Sequence, residues 1–185
     1  MLKKNRLFTP GPTPLLPASQ LAMAAANVHH RTADFKALFQ KTLADLKTFI
    51  GTNHDVVLLA SSGTGAMEAS MANLTKPGDK VLVISAGKFG ERWTGLAKTY
   101  GCAAEVVSAP YGQTVTLEAV RAKLSPEVRA VYMQATESST GVRHDVQGVA
   151  RLVRDQNAKG GEALLIVVNT ATRTSPRRLH ALQGA

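Results

Sequence analysis

The chain has 185 residues, 44% of them hydrophobic, which is enough for a globular domain with a buried core. Its formal net charge of +9 is spread among acidic residues and an acid-free tail containing Arg173, Arg177 and Arg178, so a nucleic-acid-binding module is disfavoured. A single cysteine, Cys102, excludes an intrachain disulfide, and without an 18-residue apolar run or an apolar leader we expect a cytoplasmic protein without membrane contact.

The first elements are an extended arm and an amphipathic helix. Residues 7–17 read LFTPGPTPLLP, where four prolines prevent a helix and disfavour a central strand. Apolar side chains then recur every three or four residues from Asp34 to Ile50, which predicts a helix that ends at Gly51.

Strands and helices alternate through the rest of the chain. Short runs rich in valine, leucine and isoleucine predict strands at 56–60, 80–85, 104–108, 129–134 and 164–168. Helices are predicted at 65–74, 91–100, 116–124, with Thr116 as N-cap, and 145–159. This alternation predicts an α/β fold with a mostly parallel sheet in a three-layer sandwich. We expect an arm at 1–17, a partial large domain at 18–168, and an atypical tail at 169–185, where the pattern stops.

The first loop with unusual chemistry is SSGTG, residues 61–65, between a predicted strand and a predicted helix. Its glycines permit close backbone approach, its hydroxyls donate hydrogen bonds, and a helix start offers unpaired N–H groups. These features describe a phosphate cup, although serine and glycine also occur there as ordinary caps. The loop lacks the spacing of a P-loop or of a dinucleotide-binding turn.

Two further loops follow predicted strands. Phe89 lies in the glycine-flanked segment GKFGERW, where its ring either stacks on a planar ligand or packs in the core. Residues 136–142 read TESSTGV, and three successive hydroxyls beside the Glu137 carboxylate indicate either a polar binding loop or a capped turn. Because strand ends share one edge of a parallel sheet, we expect Ser62, Phe89 and Ser138 to converge there.

The order and spacing of these motifs resemble one family. TPGPTP, HHR at 29–31, SSGTGAMEA, GDKVLVISAGKFGERW and ESSTGV are similar to the class V aminotransferases of fold type I, in the serine–pyruvate and alanine–glyoxylate group. The resemblance covers about residues 7–168. It implies the large domain of a pyridoxal-phosphate enzyme that acts as a homodimer.

The resemblance also implies roles for individual residues. Ser62, Gly63 and Thr64 would hold the phosphate of pyridoxal 5'-phosphate, and Phe89 would stack on its ring. Either Glu137 or Ser138 would lie beside the polar edge of that ring.

In the arm, Gly11 would line the substrate pocket. His30 and Arg31 would lie near the entrance, without an assigned role.

Two departures from the family pattern concern catalysis. Val168 and Asn169 stand where the family has an aspartate that keeps the pyridine nitrogen protonated. No lysine follows Lys159, whereas the family places its Schiff-base lysine some way beyond this strand, so no catalytic residue is assigned.

By family, we expect transfer of an amino group from a small amino acid such as alanine or serine to a 2-oxo acid such as glyoxylate. We also expect that this chain is C-terminally truncated, inactive alone and prone to aggregation. The alternatives are a non-catalytic remnant and another class V enzyme such as a cysteine desulfurase.

Overall fold

The structure, a computed structural model, describes residues 7–9 and 11–169. These residues cluster into two compact units, the first ending at Val57 and the second beginning at Leu58. The predicted domain boundaries at residues 17 and 168 stay predictions. The tail predicted at 169–185 lies outside the described residues except for Asn169.

The first unit contains two helices, α1 (Pro17–Met23) and α2 (Ala33–Ile50). Helix α2 confirms the predicted amphipathic helix and begins one residue earlier than expected. The Thr32 side chain caps it by accepting a hydrogen bond from the Phe35 N–H, and Gly51 ends it in the left-handed conformation with φ 76°. Helix α1 was not predicted, because the prolines around it masked a start at Pro17.

The second unit contains a four-stranded parallel sheet. In chain order its elements are α3 (Gly63–Leu74), β1 (Lys80–Ser85), α4 (Lys88–Thr99), β2 (Ala103–Ser108), α5 (Leu117–Lys123), β3 (Val128–Gln134), β4 (Thr136–Glu137), β5 (Val142–Arg143), α6 (Val146–Asn157) and β6 (Leu164–Val168). The sheet order is β2-β1-β3-β6, with all three neighbouring pairs parallel. Strands β4 and β5 form a separate antiparallel hairpin.

Helices cover both faces of this sheet, which confirms the predicted three-layer α/β arrangement. Alternate side chains of β1 point to opposite faces, so Val81 and Val83 pack with Trp93 on one side while Leu82 and Ile84 pack on the other. The first face is covered by α3 and α4, and the second by α5 and α6. Burial on both faces explains why the strands read as continuous apolar runs.

Two sequence predictions need correction. No strand forms at 56–60: among the described residues no strand pairs with this segment, and Val57, Leu58 and Leu59 are 77%, 47% and 50% exposed. An apolar segment forms a strand of a parallel sheet only where a neighbouring strand is available for pairing, and apolar composition alone does not predict that neighbour. Helix α4 begins at Lys88 rather than Glu91, so Phe89 lies in its first turn and not in a loop.

Within residues 7–9 and 11–169, none of the helices combines the length and the apolar character that a bilayer span requires.

Candidate functional site

The candidate site lies at the carboxyl ends of β1 and β3. The chain leaves β1 towards β2 on one side and returns to form β3 on the other side, so these two neighbours mark the point where strand order reverses. A crevice at such a point is where open α/β sheets bind ligands. Helix α4 follows β1 there, and the β4–β5 hairpin follows β3.

The N-terminus of α3 carries the predicted phosphate cup. Ser62 is the N-cap, and its hydroxyl oxygen accepts a hydrogen bond of 3.4 Å from the Gly65 N–H. Gly63 and Thr64 are the first two helical residues, whose N–H groups have no intrahelical acceptor. Ser62 and Gly63 are exposed, so the capping role leaves the Ser62 O–H and these N–H groups available to an anion.

The first turn of α4 places an aromatic ring and a cation beside that cup. Phe89 is half-buried and packs against the core cluster that contains Trp93, so the core interpretation of its ring is partly correct. The Arg92 guanidinium lies 5.2 Å from the centre of the Phe89 ring and donates a hydrogen bond of 2.6 Å to Thr64 Oγ1. A planar ligand can therefore stack on Phe89 only on the other face or after Arg92 moves.

The third loop forms the β4–β5 hairpin rather than an open loop. Glu137 ends β4 with 0% of its surface exposed, and its carboxylate accepts hydrogen bonds from the backbone N–H groups of Phe89 (3.3 Å) and Gly90 (2.9 Å). Ser138 follows and is half-buried. The hairpin turn closes at Gly141, whose φ of 76° and N–H bond to the Glu137 carbonyl oxygen (2.8 Å) define the turn.

Side-chain contacts therefore connect the three predicted loops in one series. Thr64 of the first loop contacts Arg92, Arg92 covers Phe89 of the second, and the Phe89 N–H binds Glu137 of the third. Gly11 belongs to the first unit, where it is exposed, and its predicted substrate role stays a prediction.

His30 and Arg31 are also exposed residues of the first unit. The His30 ring stacks on that of His29 with 4.6 Å between centroids. Neither residue acquires a role from these contacts.

Sequence reasoning missed two polar residues that support the site. Arg92 belongs to the GKFGERW motif, and its position three residues after Phe89, on the same face of α4, was the signal for it. Gln134 ends β3 with 1% exposure, and with its amide oriented to satisfy both neighbours it accepts from Trp93 Nε1 (3.1 Å) and donates to the Val168 carbonyl oxygen (3.2 Å). A buried glutamine at a strand end was the available signal.

Two lysines bear on covalent chemistry. Lys88 lies beside Phe89, but its hydrogen bonds to Glu91 and Tyr111 raise the pKa of its ammonium group, which favours the protonated, non-nucleophilic form. Lys159 is exposed and precedes β6, which places it towards the amino ends of the strands, at the edge opposite the candidate site. This position argues against Lys159 as a Schiff-base lysine.

The sequence as a whole matches an established family. The profile of the family described as Aminotransferase class-V matches residues 18–161. The chain belongs to this family. The parallel sheet of the second unit is accordingly part of a fold-type I large domain, and the family's cofactor is pyridoxal phosphate.

The similar proteins are more than twice as long as the part that they share with this chain. A protein named "Soluble hydrogenase 42 kDa subunit" from Anabaena cylindrica is 39% identical over 168 residues, which cover 89% of this chain and 43% of that protein. An aspartate aminotransferase of subgroup IV from Thermus thermophilus superposes with a TM-score of 0.82 at 35% identity, covering 88% of this chain and 45% of its own. An alanine–glyoxylate aminotransferase from Nostoc sp. gives a TM-score of 0.80 at 32% identity, covering 90% and 44%. The chain thus spans less than half the length of these relatives.

The residues of the candidate site fit the phosphate and the aromatic ring of pyridoxal phosphate. Exposed hydroxyl and N–H donors at the start of α3 suit a phosphate, and Arg92, which forms no ion pair with a described carboxylate, adds positive charge. Phe89 supplies an aromatic surface next to these donors.

Proposed function

We propose that this chain carries the phosphate-binding and ring-stacking part of a pyridoxal-phosphate site. The reaction of that site is amino-group transfer from a small amino acid, such as alanine or serine, to a 2-oxo acid such as glyoxylate. The series of contacts from Thr64 through Arg92 and Phe89 to Glu137 is the observation that carries the proposal, because it joins three sequence-distant loops at the switch point of the sheet. The similarity to an alanine–glyoxylate aminotransferase at 32% identity supports the substrate class.

Each residue has a distinct part in binding. The Ser62 hydroxyl and the N–H groups of Gly63 and Thr64 bind the phosphate, which also gains from the positive end of the α3 dipole. Arg92 holds the Thr64 hydroxyl and adds a positive charge at the cup. Phe89 orients the flat ring.

Pyridoxal phosphate, when bound, supplies an aldehyde that takes up the amino group and a ring that withdraws electrons from the reacting carbon. The residues of this chain contribute binding and orientation. Lys88 is protonated and Lys159 lies at the other edge of the sheet, so neither provides a base for proton transfer at the site. We therefore expect the isolated chain to bind the cofactor noncovalently and not to catalyse transamination.

Titration with pyridoxamine phosphate and, separately, inorganic phosphate tests the proposal by calorimetry. Neither compound needs a lysine linkage. Ser62→Ala and Thr64→Ala are expected to weaken the binding of both compounds, whereas Phe89→Ala weakens only that of pyridoxamine phosphate, by about two- to tenfold. Thr99→Ala, an exposed hydroxyl at the far end of α4, is the matched control. Binding of neither compound by the unsubstituted chain would refute the proposal.

A further inference from the structure

Glu137 is a buried residue whose two carboxylate oxygens accept hydrogen bonds from the N-terminus of α4. It has 0% exposure, and its two oxygens accept from the N–H groups of Phe89 and Gly90 at 3.3 Å and 2.9 Å. No Lys, Arg or His side chain among the described residues forms an ion pair with it. Its partners are therefore the first N–H groups of α4, which have no acceptor within the helix, and they lie at the positive end of the helix dipole.

The surroundings of this carboxylate are fitted closely to it. A Cβ atom on Gly87 would lie 2.6 Å from Glu137 Oε2, so any side chain at this position displaces the carboxylate. The Gly87 φ of 172° is ordinary extended backbone, and the requirement for glycine is thus steric. The backbone of Glu137 is itself fixed, because its carbonyl oxygen accepts from the N–H groups of Thr140 and Gly141 at 3.1 Å and 2.8 Å.

We propose that Glu137 is a positioning residue that sets the Phe89 ring beside the phosphate cup and does not touch the cofactor itself. Both of its oxygens are used by amide donors and its side chain is fully buried. Ser138, which is half-buried, then remains as the hairpin residue that the family resemblance places beside the ring's polar edge. The effect of Glu137 on cofactor binding rests on the proposed function. Its effect on the first turn of α4 rests on the hydrogen bonds to Phe89 and Gly90 alone.

Amide hydrogen exchange in the ligand-free chain tests the mechanism. Glu137→Gln keeps the side-chain volume but replaces one acceptor oxygen by an NH₂ group that faces an N–H donor. Exchange at the Phe89 and Gly90 amides is expected to quicken by about tenfold or more. Gly87→Ala, which displaces the carboxylate without removing it, should give the same change. Glu118→Gln, an exposed carboxylate in the first turn of α5, should leave both amides unchanged.

A double-mutant cycle with pyridoxamine phosphate tests the consequence. Glu137→Gln is expected to weaken its binding by about fivefold, to leave inorganic phosphate binding unchanged, and to have no further effect in a Phe89→Ala background. Equal weakening in both backgrounds would show direct contact with the cofactor and overturn the inference. Unchanged exchange at both the Phe89 and the Gly90 amide in Glu137→Gln would also overturn the inference. If the unsubstituted chain binds neither compound, the proposed function fails, whereas the exchange result still decides whether Glu137 holds the α4 turn.

Discussion

The close packing of α4 on β1 predicts that one substitution has opposite effects at two positions of the same helix. A Cβ atom on Gly90 would lie 2.5 Å from Ser85 Cα and 2.8 Å from Ser85 Oγ. Carbon atoms in contact are about 3.5–4.0 Å apart, so Gly90→Ala creates an overlap of about 1 Å with backbone. Ser85 ends the central strand and cannot yield, since it pairs with Ser108 of β2. The helix must move instead.

The expected cost follows from this movement. Overpacking costs about 1–3 kcal/mol, and loss of the Gly90 N–H bond to the Glu137 carboxylate adds about 1.5–3 kcal/mol. Replacing glycine by alanine in a helix returns about 1 kcal/mol, so Gly90→Ala should lower the free energy of unfolding by about 1.5–5 kcal/mol. Gly95 is exposed in the same helix with open space around its Cβ direction, so Gly95→Ala should raise it by about 0.5–1 kcal/mol.

Urea denaturation followed by the fluorescence of Trp93 measures both effects. Trp93 is the only tryptophan in the sequence, belongs to α4 and is buried. It reports on the second unit by itself, which avoids treating the two units as one transition. The reasoning is refuted if Gly90→Ala unfolds at the same or a higher urea concentration than the unsubstituted chain. A gain at both positions would mean that helix propensity alone decides the result.

Two further predictions concern buried polar groups. Trp93→Phe removes the indole N–H that donates a hydrogen bond to the Gln134 side chain and shortens a fully buried ring, and should lower the free energy of unfolding by about 1–3 kcal/mol, measured by circular dichroism in urea; an unchanged midpoint would contradict this bond. Burial lowers the pKa of His144 below its ordinary value of 6.5, and neither ring nitrogen has a hydrogen-bond partner among the described residues. The unfolded chain therefore takes up a proton on this histidine more readily than the folded chain does. The contribution of His144 to the free energy of unfolding should be fully present above pH 6.5 and should fall as the pH drops below it, by at most about 1.4 kcal/mol per pH unit. His144→Leu should reduce this slope between pH 7.5 and 5.5, and an identical slope in the variant would contradict the assignment.

The sequence predicted those parts of the fold that local pattern determines. The strands β1 and β6 have the predicted bounds because each is a continuous apolar run covered on both faces by helices or by packed neighbours. Thr116 caps α5 as expected, its hydroxyl oxygen accepting from the Ala119 N–H at 3.2 Å. These features depend only on residues close together in the chain.

The parts that were missed depend on residues far apart in the chain. Helix α4 begins three residues earlier than predicted because its first N–H groups bind Glu137, which lies 48 positions after Phe89. The strand predicted at 56–60 does not form, since an apolar run cannot show whether a neighbouring strand is present. Strand-end position and the family resemblance both group Ser62, Phe89 and Ser138, but no local signal in the sequence predicts the capping contact of Glu137.

The homodimer that the family resemblance implies stays a prediction, and so does the cytoplasmic location. The central claim concerns the grouping of the three loops around one ligand. Titration of the ¹⁵N-labelled chain with pyridoxamine phosphate, followed by amide chemical shifts, tests it most directly. The largest changes should fall together on Gly63, Thr64, Phe89 and Ser138, with saturation at a single affinity. Changes confined to other residues, or no change at these four amides, would contradict the claim.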